Sequence, residues 1–292
     1  MGVGELDNWL TGLFRPLLLG CDRLEVPEDP RAELGADLAL WPERLDAARG
    51  RVAAFFEAHG ERMAAFVAEP LIQGAGGMRL WPPELLQEIR RQCDRFGVYL
   101  VLDEVMTAFG RTGTFLALEQ CRVVPDFLCL GKGLTGGTLP LAMTWTTEEV
   151  YRRFWGDYAE GKTFFHGHTF TANPIACAVA VESLALFEEE AVLARGRELA
   201  AALRRAWIGL AAHPAVRRAR TLSPIAACQM VDPATGKPRP PDARFGWRLH
   251  RRALERGLLV RPMGDCLYLM PPLATPPGRA AEAVATLAAL LD

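Results

Sequence analysis

VYLVLDEVMTAFGRTG, Val98 to Gly113, runs five apolar or aromatic residues into two adjacent acids, Asp103 and Glu104, and then into Arg111 between two glycines. An unbroken apolar run of this length reads as a strand covered on both faces, the pattern of a parallel sheet packed under helices. Working outward, AAFVAEP reads as a second buried strand ending at Glu69, and DFLCLGKG as a third ending just before Lys132. Between the first two lies PPELLQEIRRQCDRFG, a helix opened by proline and closed by Gly97. Strands alternating with helices predict an α/β fold built on a mostly parallel sheet.

The flanks complete the layout. WPERLDAARGRVAAFFEAHG has the apolar spacing of an amphipathic helix. An alanine-rich helix is expected after Asn173 and Pro174, and another through VLARGRELAAALRRAWIGL. From about Leu222 the texture shifts to short strands and turns: a polar loop DPATGKPRPPD, a helix RFGWRLHRRALERG, then LLVRP and CLYLMPP as two strands across a short turn. The expected division is a large domain over residues 1–188 and a smaller α+β domain over 189–292.

Composition removes several function classes. With 292 residues, half of them hydrophobic, the chain can bury a sizeable core. A formal charge of -2, with both signs mixed along the sequence, provides no polycationic face for nucleic acid. Seven cysteines without a CxxC pair argue against a disulfide framework. MGVGELDNWLTG lacks the pattern of a secretory leader, and no apolar run is long enough to span a bilayer, so a cytoplasmic protein without membrane partners is expected.

Ligands of open parallel sheets bind at the carboxyl ends of strands, and Glu69, Asp103 and Lys132 each fall within a residue or two of such an end. Asp103 alone reads equally well as a helix cap, and Lys132 alone as a solvated loop lysine. GKG is not a Walker loop, because Gly133 stands where a magnesium-binding hydroxyl is required. Together, an acid that needs a cation and a strand-end amine suited to imine chemistry fit one ligand. Pyridoxal phosphate presents a pyridinium nitrogen and an aldehyde on opposite sides of one ring.

EPLIQGAGGM, LDEVMTAFGRTG, PDFLCLGKGLTGGTLPLA and FFHGHTFTANPIACA, in this order and spacing, resemble the class III aminotransferases of the fold-type I pyridoxal-phosphate group. QGAGGM, GLTGGTLPLA and RPMGDCLYLMPP most resemble the branch of that class that works in biotin synthesis. The resemblance covers nearly all of the chain. It implies transfer of an amino group from S-adenosylmethionine to 8-amino-7-oxononanoate, and a homodimer with shared active sites. Another class III activity on ω-amino acids, or an inactive assembly partner, are the alternatives.

Carried over position by position, the resemblance implies that Asp103 pairs with the ring nitrogen, Lys132 holds the aldehyde carbon and shuttles the proton, and Val105 packs on one ring face. Thr169 would bind cofactor phosphate across the dimer interface, Gly167 and His168 would line the substrate, and Arg261 would grip the substrate carboxylate. Glu69 would order the following loop, and Arg111 would tie the loop after Asp103 to its surroundings. Met106 stands where several relatives have a glutamine. His166 and His168 form an H-x-H pair without further ligands nearby, and no metal is assigned. The family's long N-terminal portion, with the glycine-serine turn of the phosphate cup and a stacking aromatic, has no counterpart before GELDNWLTG. The alternatives are a shortened family member, a fragment, or one part of a split protein, in which case a separate N-terminal portion would be a partner.

Overall fold

The computed structural model describes residues 15–17, 20–240 and 243–291, and the GELDNWLTG stretch lies outside them. Helix α1 (Trp41–His59) starts on a proline turn and buries Trp41, Leu45, Ala48, Val52 and Phe56, one stripe at helical spacing. Strand β1 (Ala65–Ala68) follows, then a small antiparallel hairpin of β2 (Ile72–Gln73) and β3 (Arg79–Leu80) with Ile72 opposite Leu80. Helix α2 (Pro83–Phe96) buries Leu85, Leu86, Ile89 and Cys93 and stops at Gly97, whose φ of 65° is the left-handed conformation glycine adopts without cost.

Strand β4 (Tyr99–Asp103) is the axis of the first sheet. It pairs in parallel with β1 on one side and with β5 (Phe127–Leu130) on the other, past the single helical turn α3 (Leu118–Cys121). Strand β6 (Met143–Thr146) closes the order β1-β4-β5-β6, running antiparallel to β5. The expected parallel sheet is thus present, with an antiparallel edge that sequence patterning did not reveal, but it is not covered on both faces as the apolar runs implied: no β1 residue is buried, and Val67 and Tyr99 are 37% and 39% exposed. All four β6 residues are exposed, so the apolar/polar alternation of Met143–Thr146 marks no buried face, and the run is only four residues long.

Helix α4 (Glu148–Arg152) is capped by the Thr147 hydroxyl, which accepts the Val150 N–H at 3.4 Å. Helix α5 (Pro174–Glu189) is capped by Asn173 Oδ1, which accepts the N–H groups of Ile175 and Ala176 at 3.0 Å each. The expected division between residues 188 and 189 falls in its last turn. Beyond it, α6 (Val192–Ala211) leads into the antiparallel pair β7 (Val216–Leu222) and β8 (Ile225–Met230). Helix α7 (Phe245–Leu254), strand β9 (Cys266–Leu269) and helix α8 (Pro277–Leu291) complete the chain, with sheet order β7-β8-β9. A core of Leu199, Leu203, Trp207, Leu249, Leu267 and Leu287 joins the helices to this sheet. A separate core of Phe56, Leu86, Leu100 and Leu102 lies under α1 and α2.

LLVRP, expected as a strand, is irregular. The Leu258 N–H is spent on Ala253 O at the end of α7, Pro262 has no N–H to give, and Met263 exchanges both backbone bonds with Cys266 at 2.9 Å each. Arg261 consequently sits in a loop rather than on a strand end.

Two arginines tie distant parts of the chain together. Arg111 donates to Pro271 O at 2.6 Å, fulfilling the tying role expected of it. Arg220, only 5% exposed, donates Nε to Met78 O at 2.8 Å and Nη2 to Gly77 O at 2.6 Å, so β7 holds the glycine-rich loop by its carbonyls. Replacing Arg220 by Ala is expected to lower unfolding free energy by about 3 kcal/mol, because buried carbonyls lose their donors. Lys at the same position should recover less than half of that, since one ammonium cannot reproduce the planar fork. Urea midpoints of the three proteins check this, and a shift below about 0.5 kcal/mol would show the loop is held otherwise.

Candidate active site

The first sheet sets the geometry. Ala68 is opposite Leu102 and Asp103 is opposite Cys129, so Glu69, Asp103 and the Gly131–Lys132 turn emerge side by side at one edge. Asp103 Oδ1 accepts the Val105 N–H at 3.0 Å, which fixes the carboxylate at the strand end. Among the described residues no hydrogen bond takes up Oδ2. Val105 then lies against the turn: a Cβ added to Gly131 would touch Val105 Cγ1 at 3.5 Å. Lys132 opens a short 3-10 turn with φ of 44°, a left-handed conformation that non-glycine residues adopt only at a cost. It is exposed rather than buried, because that turn lifts it beyond the sheet edge.

Glu69 belongs to the same edge. Both of its carboxylate oxygens face the Gly74 N–H, at 3.3 and 3.2 Å, so it orders the QGAGG loop as expected. Burial pushes its carboxyl above the usual range and the Gly74 N–H pulls it back; neighbouring Asp103 raises it further while Lys132 lowers it. The Glu69 carboxyl thus senses both Asp103 and Lys132 at this edge. Met106 points at the same loop: a Cβ on Gly74 would lie 2.3 Å from its sulfur. The position that carries glutamine in several relatives is used here for apolar packing.

Glu104 turns away from the edge and is fully buried. It accepts the Ala117 N–H at 2.7 Å, the Leu118 N–H at 2.8 Å and the Thr107 hydroxyl at 3.1 Å, capping the α3 turn. The two adjacent acids therefore separate by the alternation of a strand: one serves the edge, the other the interior. Sequence reading left Glu104 without a role, and the S/T-type cap signals could not have found it because its partners lie 13 and 14 residues away.

The remaining candidates lie elsewhere. His166, Gly167, His168 and Thr169 belong to an exposed segment. The His168 N–H donates to Thr171 Oγ1 at 2.9 Å and its ring Nδ1 accepts the Phe170 N–H at 3.1 Å. None of the described contacts joins this segment to Lys132 or Asp103. Arg261 lines a cavity at the start of α7, with Arg239 and Arg244. Three cysteine thiols, Cys93, Cys121 and Cys228, are pushed up to about 12 by burial, which removes them as nucleophiles. Among the described residues no group of three or more His, Cys, Asp or Glu could hold a metal, and no helix is long and apolar enough to cross a membrane.

A carboxylate and an amine on adjacent strand ends, with an apolar side chain between them, match the family that the sequence matches over residues 13–291, aminotransferase class-III. The chain belongs to the class III aminotransferases. It is 44% identical over 265 residues to the adenosylmethionine-8-amino-7-oxononanoate aminotransferase of Nitratidesulfovibrio vulgaris, covering 90% of this chain and 48% of that one. To the protein of the same name from Synechococcus elongatus it is 44% identical over 296 residues, covering 100% of this chain and 65% of that one. The crystal structure of the Methanocaldococcus jannaschii aminotransferase of that name superposes with a TM-score of 0.82 at 30% identity, over 97% of this chain and 62% of the other. This chain thus spans about half to two thirds of the length of these relatives. Class III aminotransferases are pyridoxal-phosphate enzymes, and the donor set here suits that cofactor: Asp103 retains an unspent carboxylate oxygen and Lys132 an unspent amine.

The buried acids give a pH test. Burial raises the Glu104 carboxyl in the folded state. A raised folded value means its stabilising contribution is full below the unfolded value of about 4.3 and is lost as pH rises through the folded one. Relative to Glu104→Gln, which does not titrate, the wild-type chain should therefore lose ground between about pH 4 and 7. Glu104→Ala should cost about 2 to 4 kcal/mol at either pH, because two buried N–H groups lose their acceptor. Urea unfolding at both pH values reads this out, and a wild-type advantage that grows with pH contradicts it.

Proposed function

We propose that this chain takes part in the transfer of an amino group from S-adenosylmethionine to 8-amino-7-oxononanoate, giving 7,8-diaminononanoate in biotin synthesis. The observation that carries the reading is the placing of Asp103 and Lys132 at neighbouring strand ends, each with an uncommitted polar atom. The substrates are those named in its relatives, the adenosylmethionine-8-amino-7-oxononanoate aminotransferases. Bound pyridoxal phosphate supplies an aldehyde that takes up an amine and a ring that accepts electrons. Asp103 Oδ2 holds a proton at the ring nitrogen. Lys132 Nζ would hold the aldehyde end of the cofactor, and the same amine would serve as the base and acid that moves the proton at the amine-bearing carbon of the substrate. Returning the same proton in the opposite sense serves the ketone of the acceptor.

Val105 packs against one ring face. Arg261 receives the substrate carboxylate as a bidentate partner. Thr169, with Gly167 and His168, reaches the crevice of a second copy, so the working form is a homodimer in the cytoplasm. The exposure of the 151–172 segment supports that assignment. The greater length of the relatives supports a further contribution to the phosphate and substrate pockets from sequence outside this chain, including a separate polypeptide.

Borohydride reduction after incubation with pyridoxal phosphate should fix the cofactor to the peptide containing LGKGLTGG, and Lys132→Ala should abolish the label. Label on Lys162 or Lys237 instead would end the assignment. Asp103→Asn should keep some cofactor and lose about 10³-fold in turnover, because an amide cannot hold the ring nitrogen protonated. Both are measured with the 292-residue chain alone and with a polypeptide covering the N-terminal part of a relative. Turnover of simple ω-amines without formation of 7,8-diaminononanoate would move the chain to another activity of the class.

A further inference from the structure

The net charge of -2 hides one local segregation of charge. From Arg244 to Leu259, along α7 and the turn that ends it, the sequence carries five arginines against a single acid, Glu255. Helical spacing sorts them. Gly246, Leu249 and Ala253 turn inward to the core. Arg248, Arg251 and Arg252, three and four residues apart, share the opposite, exposed face, and Arg256 extends it into the turn. Among the described residues no carboxylate pairs with any of these four. Arg248 and Arg252 each spend one nitrogen on a carbonyl, Ala243 O and Leu290 O, and keep the rest of the fork.

An apolar flank runs beside the charges. Trp247 and Leu254, about two helical turns apart, lie one above the other, and Leu259 follows beyond the helix; they are 52%, 48% and 69% exposed. Large apolar side chains left half in water beside a cationic face are the composition of a helix that lies on a lipid surface. The exposed positions wrap around α7 as a ridge rather than a groove, the shape that meets a flat surface. None of Arg248, Arg251, Arg252, Arg256 and Leu254 lines the cavity bordered by Arg261.

We propose that this face of α7 docks the chain on an anionic lipid surface, with the arginines among the headgroup phosphates and Trp247 and Leu254 at the acyl boundary. Guanidinium forks match phosphate oxygens, and a negatively charged leaflet attracts each added cation. A nucleic acid would engage the arginines but leave the apolar flank in water; a lipid surface takes up both. Such a contact needs no spanning segment, so the lack of a long apolar helix among the described residues does not bear on it. The surface does not depend on the aminotransferase reading.

The full chain is sedimented with vesicles of phosphatidylglycerol and phosphatidylcholine in equal parts, and with vesicles of phosphatidylcholine alone. Binding to the anionic vesicles is expected to be at least about tenfold tighter and to weaken as salt is raised. The double variant Arg248→Gln, Arg251→Gln should weaken it by about tenfold or more. Arg44→Gln with Arg51→Gln, the same charge change at exposed positions of α1, should leave it unchanged. Leu254→Ser alters no charge and should weaken it by about threefold or more, because the flank no longer enters the acyl boundary. Oligouridylate and polyglutamate are the soluble polyanions: if either binds more tightly than the anionic vesicles, the face belongs to a nucleic acid or an acidic protein and the proposal falls. No binding to anionic vesicles, equal binding to both vesicle types, or equal loss in the α1 and α7 variants would also overturn it. If the double arginine variant melts early, Leu254→Ser decides, and vesicle binding equal to the parent's in that variant removes the site.

Discussion

Everything that can react at the strand-end crevice depends on one hydrogen-bonding constraint, the parallel pairing of β4 with a neighbour on each side. Parallel strands end at the same edge, so the residues that follow β1, β4 and β5 must come out together. A slip of one residue in β4 would exchange the faces of Asp103 and Glu104. The acid now at the edge would enter the core, and the one now binding three donors would face the crevice. The apolar run Val98 to Leu102 fixes the register by burying Leu100 and Leu102 completely.

The second constraint is polar and long-range. Arg220 grips the carbonyls of Gly77 and Met78, and Arg111 grips that of Pro271, so each sheet is tied to the loops of the other part of the chain. Such ties have a sign: a buried guanidinium is costly unless its fork is satisfied, so the loop and the strand must dock together or not at all. The QGAGG loop, which Glu69 orders from the other side through Gly74, is therefore clamped at both ends.

What the sequence made legible follows from which interactions are local. α1, α2, β1, β4 and β5 were readable because their apolar spacing and their proline and glycine boundaries act within a few residues. β6 was passed over although MTWT alternates, because four residues are a short signal and neither face of this edge strand is buried. LLVRP misled because a short apolar run fits a strand, while Pro262 has no N–H and the Leu258 N–H is taken by the end of α7. That Asp103 and Lys132 fall at neighbouring strand ends could be inferred from the strand reading alone. The grips of Arg220 could not, because its carbonyl partners lie 142 and 143 residues away and only folding brings them to it.

The electrostatics of the crevice add a reason for its choice of ligand. Glu69 and Asp103 oppose each other, as the upward push of Asp103 on the Glu69 carboxyl records, and Lys132 is the cation that offsets them. On the proposed reading that offset would be withdrawn if the Lys132 amine held the aldehyde. The edge would then carry two carboxylates with no neighbouring cation, a state that like-charge repulsion disfavours. A cationic ring nitrogen held beside Asp103 would restore the balance. The same pair of acids therefore favours keeping that nitrogen protonated, which is the condition under which the ring withdraws electrons from the reacting carbon.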